Sequence, residues 1–184
     1  MKRNKTLKTV LALSLMATVM TSCSSDDDTP EVVNEEEIIT TMTITLTSAD
    51  GTATLQSQDL DGDGPTAPVI TADNLTANTT YTGSIELLNE TETPAEDISE
   101  EVEEEADEHQ FFFGLSGSLT DVTYTDTDED GYPIGLEFEL TTGDAGSGTI
   151  TITLRHEPTK PNDGTLADAG GETDIAQTFS VTVE

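Results

Sequence analysis

Apolar residues recur at every second position in five stretches of the chain, which is the spacing of half-buried β-strands. In the stretch IITTMTITLTS, Met42, Ile44 and Leu46 fall on one face, and threonines fall on the other. Threonine suits an exposed strand face because its branched Cβ fits the pleated backbone. The same pattern predicts four further strands, in YTGSIELL, IGLEFEL, GTITITLRH and DIAQTFSVTV.

Turn-forming sequences such as SADGT, TDEDG and GDAGSG separate these stretches. Short connections of this kind join antiparallel strands into hairpins. We therefore predict a mainly β fold, an antiparallel β-sandwich that is immunoglobulin-like in layout. We expect it to form a single domain over residues 38–184, a length that supports one hydrophobic core.

One acidic stretch, PAEDISEEVEEEADEHQFFF, departs from the period of two. Thr93 and Glu96 have the spacing of a capping box, and the proline between them suits the first helical position. Apolar residues then recur every four positions from Ile98, and His109 falls eleven residues further on the same helical face. The stretch predicts one acidic helix inserted at about 94–112, with His109 facing inward.

The N-terminal segment has the features of a bacterial lipoprotein signal peptide. A basic start precedes a short apolar run over residues 10–19, and Cys23 follows soon after. The run is too short to span a membrane as a helix. The sequence MTSC resembles a lipobox, whose cysteine is lipid-modified and becomes the new N-terminus. We predict a signal peptide at 1–22, lipidation at Cys23 and an acidic flexible tether over 23–37. The alternative is a cleaved ordinary signal, which would leave an unpaired thiol in an oxidising compartment.

The residues after the cysteine predict where the protein resides. The sequence SSDDD resembles the export signal that sends lipoproteins of the Bacteroidota to the outer face of the outer membrane. We therefore expect a lipid-anchored protein of the bacterial outer membrane that faces the cell exterior, and the alternative is that it faces the periplasm.

Net charge narrows the classes of partner. Removal of the signal leaves two basic residues, Arg155 and Lys160, against 38 acidic residues, which is a formal charge of −36. Nucleic acid and anionic lipid headgroups are poor partners for such a surface. Divalent cations, or a basic face on another protein, are the partners that this charge favours.

The two histidines of the chain are candidate metal ligands. His109 continues the predicted helical stripe, and His156 ends the inward-facing stripe of its strand. If the helix packs across the end of that strand, His109, His156 and Glu105 would bind a transition metal such as Zn²⁺. The alternative is that each imidazole is a hydrogen-bonded side chain at the boundary of the core.

Two aspartate-rich loops are candidate calcium sites. The first, DTDEDGYPIGLE, has the spacing of a twelve-residue calcium loop. The second, DLDGDG, repeats the beginning of that spacing. The flanks have the pattern of strands, so Ca²⁺ would bind in a hairpin loop, and the alternative is a solvated Asp-Gly turn. The candidate ligands are Asp126, Asp128, Asp130 and Glu137 in the first loop, and Asp59, Asp61 and Asp63 in the second.

Arg155 and Lys160 are the only basic residues outside the predicted signal, and they lie close together in RHEPTK. Strand alternation points Arg155 outward, opposite to His156. We expect these two residues to form an ion pair with the acidic helix, or alternatively to dock a partner or an anionic ligand.

Catalytic machinery is not indicated. A nucleophile needs a base within hydrogen-bond reach, and apart from the thiol predicted to be lipidated only the abundant serines and threonines remain. We predict a protein that is not an enzyme and that has no organic cofactor.

Several longer stretches, among them NEEEIITTMTITLT, ANTTYTGSIELLNE, GYPIGLEFELTTG and GGETDIAQTFSV, carry a family resemblance over nearly all of the mature chain. The chain resembles a family of small surface lipoproteins of the Bacteroidota, mainly Flavobacteriia, often labelled "type 1 periplasmic binding fold superfamily protein". The resemblance implies an accessory partner of a TonB-dependent outer-membrane transporter, with a role in metal or nutrient capture. The positions that would carry that role are His109, with its acidic helix, and His156.

Two functions follow as expectations. The first is a lipoprotein that binds a divalent cation or small ligand and assists a TonB-dependent transporter. The second is a structural or adhesive module in which Ca²⁺ makes the loops rigid. The sequence leaves open the metal, the partner protein, the oligomeric state, the strand order and whether the two histidines meet.

Overall fold

The computed structural model describes residues 37–61 and 65–184. The predicted signal peptide, Cys23 and the predicted tether up to residue 36 lie outside the described residues, as does Asp63. The described residues form two β-sheets in which all ladders are antiparallel, together with two short helices.

Sheet A contains seven strands in the order β3-β2-β1-β4-β8-β7, with the two-residue strand β5 paired to β4. Consecutive strands β1 and β2 form a tight hairpin, as the turn sequence SADGT predicts. The strands are β1 (Thr41–Ser48), β2 (Gly51–Gln58), β3 (Val69–Ala72), β4 (Thr80–Asn89), β5 (Glu96–Asp97), β7 (Leu119–Tyr124) and β8 (Glu137–Thr142).

Sheet B contains three strands in the order β10-β9-β6, so that β9 lies in the middle. The bounds of these strands are β6 (His109–Gly117), β9 (Gly146–His156) and β10 (Glu172–Val183). The helices are α1 (Ile98–Glu104), which precedes β6, and α2 (Leu166–Ala169), which lies between β9 and β10.

The inner faces of both sheets contribute to one hydrophobic core. Met42, Ile44 and Leu46 of β1 are fully buried, as their alternation predicts, and Phe138 and Ile152 pack in the same cluster from the two different sheets. The predicted mainly β fold with antiparallel sheets is therefore confirmed, and its single core is consistent with a β-sandwich. The finer immunoglobulin-like layout stays a prediction.

The acidic helix is much shorter than predicted. The sequence predicts a helix at about 94–112, whereas α1 covers only Ile98–Glu104. Its N-cap is Asp97, whose carboxylate accepts a hydrogen bond from the backbone N–H of Ser99, so the predicted capping box does not form. Asp97 and the preceding residue, Glu96, form β5 and pair with β4 instead. Like-charged glutamates four positions apart weaken a longer helix, and no basic residue stabilises its last turn.

The second half of the predicted helix is the strand β6. His109 and Phe111 alternate with Gln110 and Phe112, which lie on the opposite face of the strand and are also buried, and nine residues of β6 pair with β9. Aromatic side chains fit a pleated surface, and cross-strand pairing satisfies the backbone of the whole segment. The side chain of His109 does face inward, but strand alternation, not the helical stripe, places it there.

Gly83 of β4 lies opposite Phe138 of β8, and a Cβ atom at this position would lie 2.4 Å from the ring of Phe138. We predict that Gly83→Ala lowers the free energy of unfolding by about 1–3 kcal/mol, because the buried ring has to shift. The measurement is urea-induced unfolding. The control is Gly114→Ala, whose Cβ would come no closer than 3.7 Å to Thr151. Equal stabilities of the two variants would contradict this packing.

Candidate metal centre

The two histidines are cross-strand partners in sheet B. His109 is the first residue of β6 and His156 is the last residue of β9, and the antiparallel register places them directly opposite each other. Their rings stack with centroids 4.7 Å apart and an interplanar angle of 26°. The structure thus brings together the two predicted imidazole ligands, through strand pairing and not through a helix that crosses the strand end.

The side chain of His109 is fully buried, with an exposed fraction of 0%. Its Nδ1 lies 3.1 Å from the backbone carbonyl oxygen of Glu105. A carbonyl oxygen only accepts, so Nδ1 carries the proton and Nε2 presents its lone pair. Among the described residues Nε2 has no hydrogen-bond partner. Burial lowers the pKa of His109, which favours the neutral ring that metals bind.

Glu37 faces this lone pair. Its Oε1 lies 3.5 Å from His109 Nε2, and its side chain is 11% exposed. Its Oε2 is buried and makes no hydrogen bond within the described part of the chain. Burial, together with repulsion from Asp174 and Glu101, raises the pKa of Glu37 to about 7. A largely buried carboxyl group of raised pKa and a buried imidazole lone pair therefore face each other.

The spacing of these two atoms suits a shared metal ion. Donors at tetrahedral Zn²⁺, with bonds of 2.0–2.2 Å, lie roughly 3.3 Å apart. The distance of 3.5 Å between Glu37 Oε1 and His109 Nε2 is close to that value. It is long for a hydrogen bond between the same two atoms.

Asp174 approaches the histidines from β10. The pairing of β10 with β9 is regular except for a shift between Thr173 and Ile175, and Asp174 lies at this irregularity. Bulges of this kind re-aim a side chain, and they are frequent beside functional sites. The sequence analysis did not predict Asp174 as a ligand, because the bulge is not visible in an alternating strand sequence.

Three overlapping groups of donors meet around the two rings. Within each group, the ligand atoms lie within 4.8 Å of one another. Mixed imidazole and carboxylate donors suit Zn²⁺ and other divalent transition metals. Donors on one ion lie at most about 4.2 Å apart, so small side-chain movements would complete each set. The groups are His109 with His156 and Asp174, Glu37 with Glu105 and His109, and Glu108 with His156 and Glu157.

Glu105 has two roles in this arrangement. Its carboxylate belongs to the group with Glu37 and His109, which agrees with its prediction as a ligand. Its backbone carbonyl also fixes the tautomer of His109. Glu37 was assigned to the tether by its acidic neighbours, and nothing in a run of glutamates indicates which one is buried.

The residues of the first aspartate loop are not brought together as metal ligands. Asp126 accepts hydrogen bonds from the backbone N–H groups of Gly135 and Glu137, at 2.8 and 2.9 Å. Asp128 accepts from the N–H groups of Asp130 and Tyr132. Across residues 37–61 and 65–184, the groups of three converging donors include neither aspartate, nor Asp130 or Glu137. These carboxylates stabilise a turn, which is the alternative interpretation of the motif.

The second aspartate loop gives no converging group in its described part either. Asp61 accepts a hydrogen bond from the backbone N–H of Thr66 at 3.2 Å. A hydrogen bond with Asp59, followed by those from Thr66, lowers the pKa of Asp61. Asp63, the third predicted ligand, lies outside the described residues.

Lys160 is buried and does not form the predicted ion pair with the acidic helix. Its side chain is 7% exposed, and its Nζ lies 3.0 Å from Oδ2 of Asp128, whose side chain is 1% exposed. Nζ also donates to the carbonyl oxygen of Ala106 at 2.6 Å. Burial opposes ionisation of Asp128, but the hydrogen bond from Lys160 and those from the backbone hold its pKa below the usual value. Lys160 therefore does not present its ammonium to a docking partner.

Arg155 also contacts the protein itself. Its guanidinium donates to the backbone carbonyl oxygens of Gly170 and Gly171 and to the hydroxyl of Thr173. Among the described residues it makes no ion pair with a carboxylate of α1. The guanidinium fixes the segment between β9 and β10, which is a structural role that the sequence analysis did not predict.

Comparison of the chain with protein-family models, curated proteins and solved structures gives no match. The family resemblance and the functions that it implies therefore stay predictions. Within the part of the chain that the structure describes, neither helix has the length and apolar character needed to cross a bilayer.

The raised pKa of Glu37 gives a test of its burial. Without metal, folding keeps the carboxyl protonated between its ordinary pKa of 4.5 and about 7. The folded state then binds more protons than the unfolded state, so this group makes stability fall as the pH rises through that window. Burial and the charges of Asp174, Glu101 and Glu105 disfavour ionisation of Glu37, while His156 opposes that effect only in part.

We predict that Glu37→Gln removes this loss. In the presence of chelator, the stability of the variant relative to the native chain should therefore increase as the pH rises from 5 to 8. Urea-induced unfolding at both pH values measures the difference. Glu100→Gln, a change at an exposed position of α1, is the control and should follow the native chain. A parallel pH dependence of all three proteins would mean that Glu37 is solvated.

Proposed function

We propose that this protein is a binding module for a divalent transition-metal cation, with Zn²⁺ as the representative ion. The observation that carries the proposal is the buried Nε2 of His109. Its lone pair lacks a hydrogen-bond partner among the described residues and faces Glu37 at 3.5 Å. Leaving such a buried polar atom unsatisfied costs about 1–3 kcal/mol, and a bound cation offsets that cost.

The donor set favours a borderline metal over a hard one. In the group of His109, His156 and Asp174, two imidazoles supply nitrogen and one carboxylate supplies oxygen. Glu37 offers a further oxygen 3.5 Å from His109 Nε2. Calcium takes six to eight oxygen ligands, whereas imidazole suits Zn²⁺, Cu²⁺, Fe²⁺ and Ni²⁺. This chemistry supports selectivity for Zn²⁺ over Ca²⁺ at this site.

Electrostatics supports the same proposal. Asp174, Glu101 and Glu105 all raise the pKa of Glu37, so the pocket repels a further negative charge. The two basic residues outside the predicted signal are engaged elsewhere, Lys160 with Asp128 and Arg155 with backbone carbonyls. An exogenous cation is the simplest means of balancing this charge.

The proposal also includes the cellular localisation and the biological role of the protein. The basic start, the apolar run and Cys23 support a lipid-anchored protein of the outer membrane, and SSDDD supports exposure at the cell exterior. The resemblance to small surface lipoproteins of the Bacteroidota supports a partnership with a TonB-dependent transporter. In that role the protein would capture the cation outside the cell and present it to the transporter.

Metal-dependent stability tests the binding function. We predict that Zn²⁺ at one hundred times its dissociation constant raises the stability by about 2.7 kcal/mol, which corresponds to a melting-temperature increase of about 5–10 °C for a domain of this size. Ca²⁺ at the same ionic strength should have little effect. The measurement is thermal unfolding after chelation, followed by addition of each ion.

Matched variants locate the binding site. Glu37→Gln and Asp174→Asn should each weaken Zn²⁺ binding at least about tenfold, since each removes a charged donor with little change of shape. Glu100→Gln removes the same charge outside the donor groups and should bind as the native chain does. No Zn²⁺ binding by the native chain, or equal binding by all the variants, would contradict the proposal.

Lipidation at Cys23 tests the proposed membrane localisation. We predict that bacteria expressing the full chain incorporate a labelled fatty acid into it, and that Cys23→Ser abolishes the incorporation. Protease added to intact cells should remove the native protein if it faces the exterior. Absence of the fatty-acid label from the native chain would mean that Cys23 is not an anchor.

A further inference from the structure

The third donor group lies on the solvent side of His156. Glu108 has a side chain that is 52% exposed, whereas His156 is 12% exposed and His109 is 0% exposed. Glu157, the remaining member of the group, is also exposed. The donors thus form a series that runs from solvent into the protein through the two stacked imidazoles.

The backbone fixes the two outer glutamates together. The N–H of Glu157 donates to the carbonyl oxygen of Glu108 at 2.7 Å, which extends the β6–β9 ladder by one pair beyond the two histidines. Glu157 adopts a φ of 48°, a left-handed conformation that is uncommon for a residue other than glycine. Strain of this kind is concentrated at functional sites. The outer carboxylates are therefore held at the mouth of the cluster by the same register that pairs the imidazoles.

His156 belongs to both the outer donor group, with Glu108 and Glu157, and the inner donor group, with His109 and Asp174. Its Nε2 lies 3.7 Å from Glu108 Oε2, and its ring also stands in the group with His109 and Asp174. A neutral imidazole ring carries a proton on one nitrogen and a lone pair on the other, so the ring of His156 binds one ion at a time. The outer and inner groups are therefore alternative positions for a single ion.

To reach the inner donor group, a cation has to lose part of its hydration shell. A hydrated cation meets Glu108 and Glu157 at the surface, while behind them His109 is buried and Asp174 is partly buried. Carboxylates at the mouth attract the ion and replace part of its hydration shell before it enters. The stacked rings, with centroids 4.7 Å apart, make the next exchange of ligands a short step.

We propose, on the basis of the proposed function, that Glu108, His156 and Glu157 form an outer capture site for the same class of cation. From this site the ion passes to His109 and Asp174 by exchange of ligands around His156. The outer site controls the rates of entry and release, and the inner site sets the affinity.

The double variant Glu108→Gln/Glu157→Gln tests this route with Zn²⁺ as the probe. Stopped-flow mixing of the purified full chain with Zn²⁺ gives the association rate, and mixing of the loaded chain with excess chelator gives the release rate. Both rates should fall about tenfold relative to the native chain, within the range of electrostatic effects on association. The dissociation constant should change by less than about threefold, because a change at the entry route alters both rates alike.

The matched control is Glu100→Gln/Glu103→Gln, which removes two exposed carboxylates of α1 that belong to none of the three donor groups. This control separates the general loss of negative charge from loss of the capture site, and its rates should stay close to native values. Identical rates in the two double variants would overturn the proposal, and so would a loss of affinity caused by faster release alone. Absence of Zn²⁺ binding by the native chain would instead overturn the proposed function itself.

Discussion

The antiparallel register between β6 and β9 is the constraint on which the candidate site depends. Because the first residue of β6 pairs with the last residue of β9, His109 and His156 meet at one end of sheet B. The next pair outward is Glu108 and Glu157, joined by a backbone hydrogen bond. A shift of this register by one residue would turn each imidazole to the opposite face of the sheet and separate it from its partners. One pairing interaction thus determines both the burial of the histidines and the position of the outer carboxylates.

Two polar clusters among the described residues differ in charge balance, the Lys160–Asp128 pair and the histidine cluster. At the first, Lys160 neutralises Asp128 through Oδ2, and backbone N–H groups donate to Oδ1. At the second, Glu37 is largely buried near Asp174 and other carboxylates, and burial and these charges raise its pKa more than His156 lowers it. Native proteins rarely leave such atoms unsatisfied, and titratable groups with strongly shifted pKa values concentrate at functional sites. The contrast within one molecule singles out the histidine cluster as the position for a cation.

The alternation of apolar residues predicts β1, β4 and β8 of sheet A and β9 and β10 of sheet B, because burial of one strand face requires it. It does not reveal β6, since HQFFF fits the end of an amphipathic helix as well as a strand. The sequence predicts the inward direction of His156 from strand alternation, but it reaches that of His109 through a helix where the structure has β6. The contact of the two rings does not follow from the sequence, because it depends on which strands pair. Asp174 and Glu37 could not be found this way. The first depends on a local irregularity of pairing, and the second on the path of the chain before β1. In the first aspartate loop, by contrast, the carboxylates have the spacing of a calcium site, but they accept hydrogen bonds from backbone N–H groups.

The chain contains only two histidines, so nitrogen NMR of histidine-labelled protein tests the central claim with very few signals. The measurement is a titration of the labelled, chelator-treated protein with Zn²⁺ at neutral pH. Coordination at the cluster predicts that the signal of His109 Nε2 moves to the position of a metal-bound nitrogen, while Nδ1 keeps its proton and its bond to Glu105. Unchanged signals from both rings at saturating Zn²⁺ would show that the histidines only pack against each other, and would contradict the account.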